Sequence, residues 1–212
     1  MPATASSRQP GSSHWFSGRP GRLLLEQERQ WLQARLASRP SQPRLWLCPH
    51  APETAGAEAG VRQLGLYPHG AGYAGSLHCG LPLPLASECL GDVILQHPPP
   101  AQAEAWVEEG ARILVEGGRL WLCVFNPFSP YRLRGSGGPW RVPLHGHWQA
   151  GLARQGLQLL AVQALGPAWR VRPAGSAPGP LRAAWVFVAE KRMGSWVSPA
   201  PLQWRRGAAP AA

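Results

Sequence analysis

The chain has 212 residues, 44% of them hydrophobic, which is enough for one domain of ordinary size with a buried core and too apolar for disorder throughout. No apolar run approaches the ~20 residues that span a bilayer, and the N-terminus lacks the basic-then-apolar pattern of a secretory signal, so a cytoplasmic location is expected. The net charge of +10 invites a nucleic-acid partner, but it rests on scattered arginines, with Lys191 the one lysine and Asp92 the one aspartate; coding bias is the competing explanation.

Residues 1–20 are rich in Ser, Pro, Gly and Ala and are expected to be flexible, with Trp15 and Phe16 anchoring their end. An extra N-terminal helix over 21–38 places Leu24, Leu25, Glu28, Trp31, Leu32 and Leu36 on one stripe. Its flanks carry both Glu and Arg, which favours packing on the core over lying on a membrane. Arg44 to Cys48 reads as the first strand of a sheet, followed by a loop over Pro49 to Glu53 and a helix over 54–64. Gly65 to Tyr73 offers a short strand and a turn, and Ser76 to Cys79 a weak strand. Leu81-Pro82-Leu83-Pro84-Leu85 is extended, because each proline pushes its predecessor out of the helical region.

Residues 91–130 carry the most information. Val93, Ile94 and Leu95 form a continuous apolar run within a strand over 91–96, the pattern of a strand buried on both faces. Pro98, Pro99 and Pro100 admit a helix only from their own position onward. Trp106, Val107, Ala111 and Leu114 recur at helical spacing over 101–114, with Glu104, Glu108 and Glu109 at other positions. Gly117-Gly118 is expected to stop that helix before a strand over 119–125. A strand-helix-strand unit is a right-handed crossover, so its strands are parallel and its ligands sit beyond their carboxyl ends. Those ends carry Gln96-His97 and Asn126-Pro127.

The loop 127–143 is long and rich in Gly, Pro and Arg, as functional loops often are. A helix over 145–155 presents Trp148, Leu152 and Ala153 to the core, and Gly156 ends it. Strands follow over 157–165 and 183–189; no helix fits between them, so that pair is expected antiparallel. A flexible tail covers 194–212. Residues 21–193 then form one α/β domain, a doubly wound, mostly parallel, Rossmann-like sheet with an antiparallel last strand. Cys48, Cys79, Cys89 and Cys123 show no CxxC spacing and read as buried thiols, with no metal site expected.

Leu83-Pro84-Leu85, then Asp92 opening a strand, then Ala111-Arg112-Ile113-Leu114-Val115-Glu116-Gly117-Gly118-Arg119-Leu120 resemble the class I S-adenosylmethionine-dependent methyltransferases, most nearly their type 11 domain. That domain places Leu-Pro before its fourth strand, an acid at the strand's opening, and Arg-Val-Leu-x-Pro-Gly-Gly before its fifth. Phe125-Asn126-Pro127-Phe128-Ser129-Pro130 and Val188-Ala189-Glu190-Lys191-Arg192 resemble one bacterial branch, and the likeness covers about 22–193. It implies methyl transfer from S-adenosylmethionine to a small-molecule or macromolecular acceptor. Cofactor candidates are Cys48, Pro49, His50, Glu53, Gly80, Leu81 and Gln96; catalytic candidates are His97 and Asn126. Tyr131, Arg132 and Arg134 are candidates for an anionic acceptor, and Asp92 is expected to cap local backbone.

The chain departs from that family where the cofactor is held. The first strand runs into Cys48-Pro49-His50 rather than an acid with Gly-x-Gly, and no carboxylate lies between Glu58 and Glu88, where the ribose acceptor and the acid beside the adenine belong. Two other readings therefore stay open: a non-catalytic binding or scaffold domain, and an arginine-rich nucleic-acid-binding protein.

Overall fold

The computed structural model describes residues 13–51, 62–129, 143–168 and 182–192. Within them the strands are β1 (Arg44–Leu47), β2 (Gln63–His69), β3 (Gly72–Gly75), β4 (Leu90–Gln96), β5 (Leu114–Phe125), β6 (Leu157–Ala168) and β7 (Arg182–Lys191). They form a seven-stranded sheet in the order β3-β2-β1-β4-β5-β7-β6. The helices are α1 (Ser13–Ser17), α2 (Arg19–Ala37), α3 (Ala103–Ile113) and α4 (His145–Arg154).

β1 lies parallel to both β2 and β4, and β4 parallel to β5, with Leu47 opposite Leu95 and Leu95 opposite Leu122. β7 runs antiparallel to β5 and to β6, as the missing crossover before it requires. The crossover through α3 and the Val93–Leu95 run behave as the sequence predicts, and every residue of β4 is buried. Side chains alternate between the two faces of the sheet. Leu45, Leu47, Val93, Leu95, Leu120 and Leu122 join Trp106, Trp148 and Leu152 of α3 and α4 in one core. Trp46, Ile94, Trp121, Cys123, Val186 and Val188 face the other way and meet Leu32 and Leu36 of α2. The amphipathic stripe of α2 is thus spent on the core. Among the described residues no helix is long and apolar enough to cross a membrane.

Several boundaries differ from expectation, each for a local reason. Residues 13–20 are folded rather than flexible, because Trp15 and Phe16 are buried and T-shaped to one another. Most of the expected 54–64 helix, and the 194–212 tail, lie outside the described residues, but Gln63 and Leu64 already belong to β2. The weak strand expected at 76–79 gives way to β3, which pairs antiparallel with β2. Gly70, at φ +58, lets the chain reverse within two residues, so a hairpin stands where a crossover would need a helix. Only Cys79 of 76–79 pairs, as an isolated bridge to Tyr73. α3 stops at Ile113, ahead of Gly117-Gly118, and passes straight into β5. The two glycines make an irregularity in the strand instead: Leu90 pairs Leu114 while Asp92 pairs Arg119, and Gly117 takes φ +71. Ala153 of α4 is exposed, leaving Trp148 and Leu152 as its buried face.

The segment before β4 is held by charge. Oε1 of Glu109 accepts from the Leu83 backbone N–H and from Arg112 Nη2, each at 2.7 Å, and Oε2 accepts from Arg112 Nε at 2.9 Å. Arg112 also donates to the Leu83 carbonyl at 3.3 Å and to Ser87 Oγ at 3.1 Å. The Arg112 hydrogen bond holds the Glu109 carboxyl below its ordinary value, against the opposing effect of burial. A depressed carboxylate contributes stability above the ordinary glutamate range and loses it as pH falls through the depressed value. Glu109→Gln should therefore lower the unfolding free energy at pH 7 by roughly 1.5–3 kcal/mol. The gap between the two proteins should close on acidification. Urea unfolding of both at neutral and acidic pH tests this, and equal stabilities at pH 7 would show the ion pair to be idle.

Candidate active site

Because Leu47 is paired with Leu95, the residues after β1 and β4 leave the sheet side by side. In an open α/β sheet that rim is where ligands bind. Here it carries Cys48 to His50 and Gln96-His97, and β5 ends beside it at Phe125-Asn126.

The N-terminal helices close over this rim. Glu28 sits on the buried stripe of α2, between Leu24 and Leu32, and is 0% exposed. Its Oε2 accepts from Gln96 Nε2 at 2.9 Å and its Oε1 meets His97 Nε2 at 2.9 Å. Gln96 has no spare donor for a ligand, since its NH2 also donates to the Leu25 carbonyl at 3.3 Å, and its Oε1 accepts from the Trp46 indole at 3.1 Å. His97 is 6% exposed and packs against the stacked pair of Phe16 and Phe125, at centroid distances of 4.7 and 4.6 Å, the two phenyl rings being 5.2 Å from each other. Its backbone takes φ +47, a left-handed conformation uncommon outside glycine, and its N–H donates to the Cys123 carbonyl at 3.0 Å. Two buried nitrogens at the rim, Nδ1 of His97 and Nε2 of His50, have no hydrogen-bond partner among the described residues. His50 Nδ1 lies 2.8 Å from the Ala51 carbonyl.

The other candidates are placed as follows. Cys48 is half-buried beside the α2 core, and burial pushes its thiol up to about 11 despite the nearby Arg29 charge. Pro49 is buried, and Glu53 lies outside the described residues. Gly80 is exposed, while Leu81 lines a groove of about 680 Å³ with Glu109 and Arg112 of α3. The pair is thereby drawn to the outer flank of α3 by the Leu83–Glu109 bond rather than to His97. Asn126 is fully buried and builds a turn: Nδ2 donates to the Arg182 carbonyl at 2.9 Å, and Oδ1 accepts from the Phe128 N–H at 2.9 Å. His97 is thus buried beside Phe16 of α1, and Asn126 is held to the start of β7 through the Arg182 carbonyl. Tyr131, Arg132 and Arg134 lie outside the described residues. Asp92, expected to cap backbone, accepts instead from the Trp121 indole at 3.0 Å, with Arg39 Nε at 3.6 Å. Burial raises its carboxyl above the ordinary value, against Trp121 and the arginines Arg39, Arg44 and Arg119.

Sequence reasoning missed Glu28 and Phe16 as parts of this site. The signal was present for Glu28, a carboxylate four residues from a leucine on either side of an apolar stripe. Among the described residues, Arg112 pairs with Glu109 and Arg119 with Glu190, Arg29 lies over Trp46, and Arg35 lies over Trp31.

No family model matches the chain, and no curated protein matches it. Solved structures do. A SAM-dependent methyltransferase from Archaeoglobus fulgidus superposes with a TM-score of 0.50 at 11% identity, covering 77% of this chain and 94% of that one. An S-adenosylmethionine-dependent methyltransferase from Mesorhizobium loti gives 0.47 at 12% identity, covering 76% and 97%. A protein described as a methyltransferase, in complex with the Haloferax volcanii Trm112 methyltransferase activator, gives 0.49 at 13% identity, covering 85% and 97%. At such identities the likeness concerns the fold, which is the α/β fold of the S-adenosylmethionine-dependent methyltransferases.

Two changes probe this assembly. A Cβ on Gly21 would stand 2.4 Å from the Trp15 carbonyl oxygen and 2.5 Å from Phe16 Cα, so α1 packs on α2 only because residue 21 is glycine. Gly21→Ala should displace α1 and uncover His97; hydrogen exchange should quicken over 13–17 while β4 and β5 stay protected. Unchanged protection of 13–17 would contradict that packing. Glu28→Ala, which strands Gln96 and His97, should cost about 3–5 kcal/mol by urea unfolding. A cost under about 1 kcal/mol would mean water replaces the carboxylate freely.

Proposed function

We propose that the chain is an S-adenosylmethionine-dependent methyltransferase whose acceptor is handled at the carboxyl ends of β1 and β4, beside His97. The observation that carries the reading is the pair of buried imidazole nitrogens, on His50 and His97, that have no hydrogen-bond partner among the described residues, at the rim where this fold binds ligands. Buried polar atoms are nearly always satisfied, so such a pair points to a polar ligand.

The residues present suit part of the cofactor. His50, whose Nδ1–H donates to the Ala51 carbonyl, presents a bare Nε2 and, with the Cys48–Ala51 loop, would hold the amino-acid end by accepting from its ammonium. The ribose end meets a neutral wall: β2 closes on Tyr67-Pro68-His69, without the carboxylate that resemblance to the family implies. When bound, S-adenosylmethionine supplies an electrophilic methyl group on its sulfonium. The protein's share is placement of the acceptor in line with that carbon, which needs no nucleophile of its own. Tyr131, Arg132 and Arg134, directly after the β5 rim, remain our candidates for binding an anionic acceptor.

A non-catalytic binding domain is the second reading, favoured by the internal use of Gln96 and by the cover of Phe16 over His97. Calorimetric titration separates the two. Each missing charge-assisted hydrogen bond is worth roughly 1.5–3 kcal/mol, so S-adenosylmethionine and S-adenosylhomocysteine should bind in the high micromolar range rather than below it. Absence of heat from both at millimolar ligand would defeat the methyltransferase reading in favour of the second.

A further inference from the structure

A buried carboxylate costs several kcal/mol unless its partners are well placed, and Glu28 occupies a position where a leucine would complete the stripe of α2. Its partners settle the chemistry around it. The side chain of Gln96 has one orientation, because its oxygen accepts from the Trp46 indole and its NH2 must therefore face Oε2 of Glu28 and the Leu25 carbonyl. The remaining oxygen, Oε1, faces His97 Nε2. An ionised carboxylate only accepts, so Nε2 carries the hydrogen and a neutral His97 presents a bare lone pair at Nδ1. That nitrogen is buried and partnerless among the described residues, on a ring packed against the Phe16–Phe125 pair. Leaving an acceptor so is unfavourable, and so is a left-handed backbone at a histidine, φ +47. Both features have a use if Nδ1 is kept for a donor that arrives with the substrate.

We infer that Nδ1 of His97 is the proton acceptor of this site, that Glu28 is the residue positioning it, and that the methyl acceptor is a hydroxyl or N–H group. The inference rests on the methyltransferase reading above. As the acceptor's oxygen or nitrogen bonds to the methyl carbon, the carbon–sulfur electron pair returns to sulfur and the acceptor's proton passes to Nδ1. The imidazolium so formed keeps its Nε2–H on Glu28, whose charge balances it at 2.9 Å. Phe16, on the short α1 joined to α2 through Gly18, is the group that covers the ring in the present conformation.

The same geometry dictates a test that a packing role for Glu28 would not pass. Gln96 cannot turn, so in Glu28→Gln the new amide must point its oxygen at Gln96 and its NH2 at His97 Nε2. The tautomer of His97 should then invert to Nδ1–H. Long-range 1H–15N spectra of the full chain labelled with 15N-histidine read this directly, with His97→Asn identifying the resonances. Expected are Nε2–H in the wild type, inversion in Glu28→Gln, and return to Nε2–H in Glu28→Asp. If Glu28→Gln fails to fold, the wild-type and Glu28→Asp spectra still decide, since Nδ1–H in either overturns the inference. The second arm uses sinefungin, which bears an ammonium in place of the transferred methyl, against S-adenosylhomocysteine, which bears nothing there. Sinefungin should move the wild-type Nδ1 resonance and S-adenosylhomocysteine should not; Glu28→Gln should lower the sinefungin-to-homocysteine affinity ratio by about tenfold. If both bind calorimetrically but the Nδ1 resonance ignores sinefungin, the nitrogen serves a buried water only and the inference falls. If neither binds, the methyltransferase reading falls instead, and the acceptor class with it.

Discussion

The carboxylate of Glu28 is the constraint on which the described architecture turns. It joins the N-terminal helices to the working end of the sheet through two hydrogen bonds, beside the one that Gln96 gives the Leu25 carbonyl. Replacing an ion-paired cluster by well-packed hydrophobic residues is often neutral or stabilising, so a buried Glu–His–Gln set is weak evidence for stability and better evidence for orientation. Here the orientation is specific: Trp46 sets Gln96, Gln96 sets one oxygen of Glu28, and the other oxygen sets His97.

α2 and the residues just after it are held at two points against the same strand. Near its middle Glu28 meets the carboxyl end of β4, and just past its C-terminus Arg39 approaches Asp92 at the start of β4. Between these two contacts Leu32 and Leu36 pack on Trp46, Ile94 and Trp121. A helix so pinned cannot rotate on its apolar stripe, because either turn direction would withdraw a charged group from its partner. α1 rests on Phe125, Ala183 and Ala184 through Trp15 and Phe16, and on the gap left by Gly21.

Among the described residues the strand-end loops of the rim carry Cys48, Pro49 and His50 beside Gln96 and no carboxylate, and the thiol of Cys123 beneath them is raised by burial and by the Glu28 charge. The one described carboxylate turned toward the end of β4 comes from outside the sheet, on α2. A site so arranged places its negative charge behind a histidine and not against a ribose, which suits a role in proton handling better than one in tight cofactor capture.

Periodicity and punctuation alone determined much of this protein. Val93 to Leu95, the Pro98–Pro100 stop and the Trp106–Ala111 spacing identify a crossover whose handedness admits one parallel pairing, and the short link before Ala183 excludes another crossover. Those signals are local, so they survive in a single sequence. The hairpin of β2 and β3 hung on one glycine φ, and the end of α3 on whether Leu114 continues a helix or enters a strand, a choice made by its pairing with Leu90 of β4. At the rim, Gln96 and His97 were legible as strand-end residues, but their burial was not, since it depends on Phe16 and Glu28, 80 or so and about 70 residues away in sequence. A carboxylate on an apolar stripe declares that it has a partner; only the folded chain, by bringing α2 onto β4, decides which one, and so turns a helix residue into part of a site.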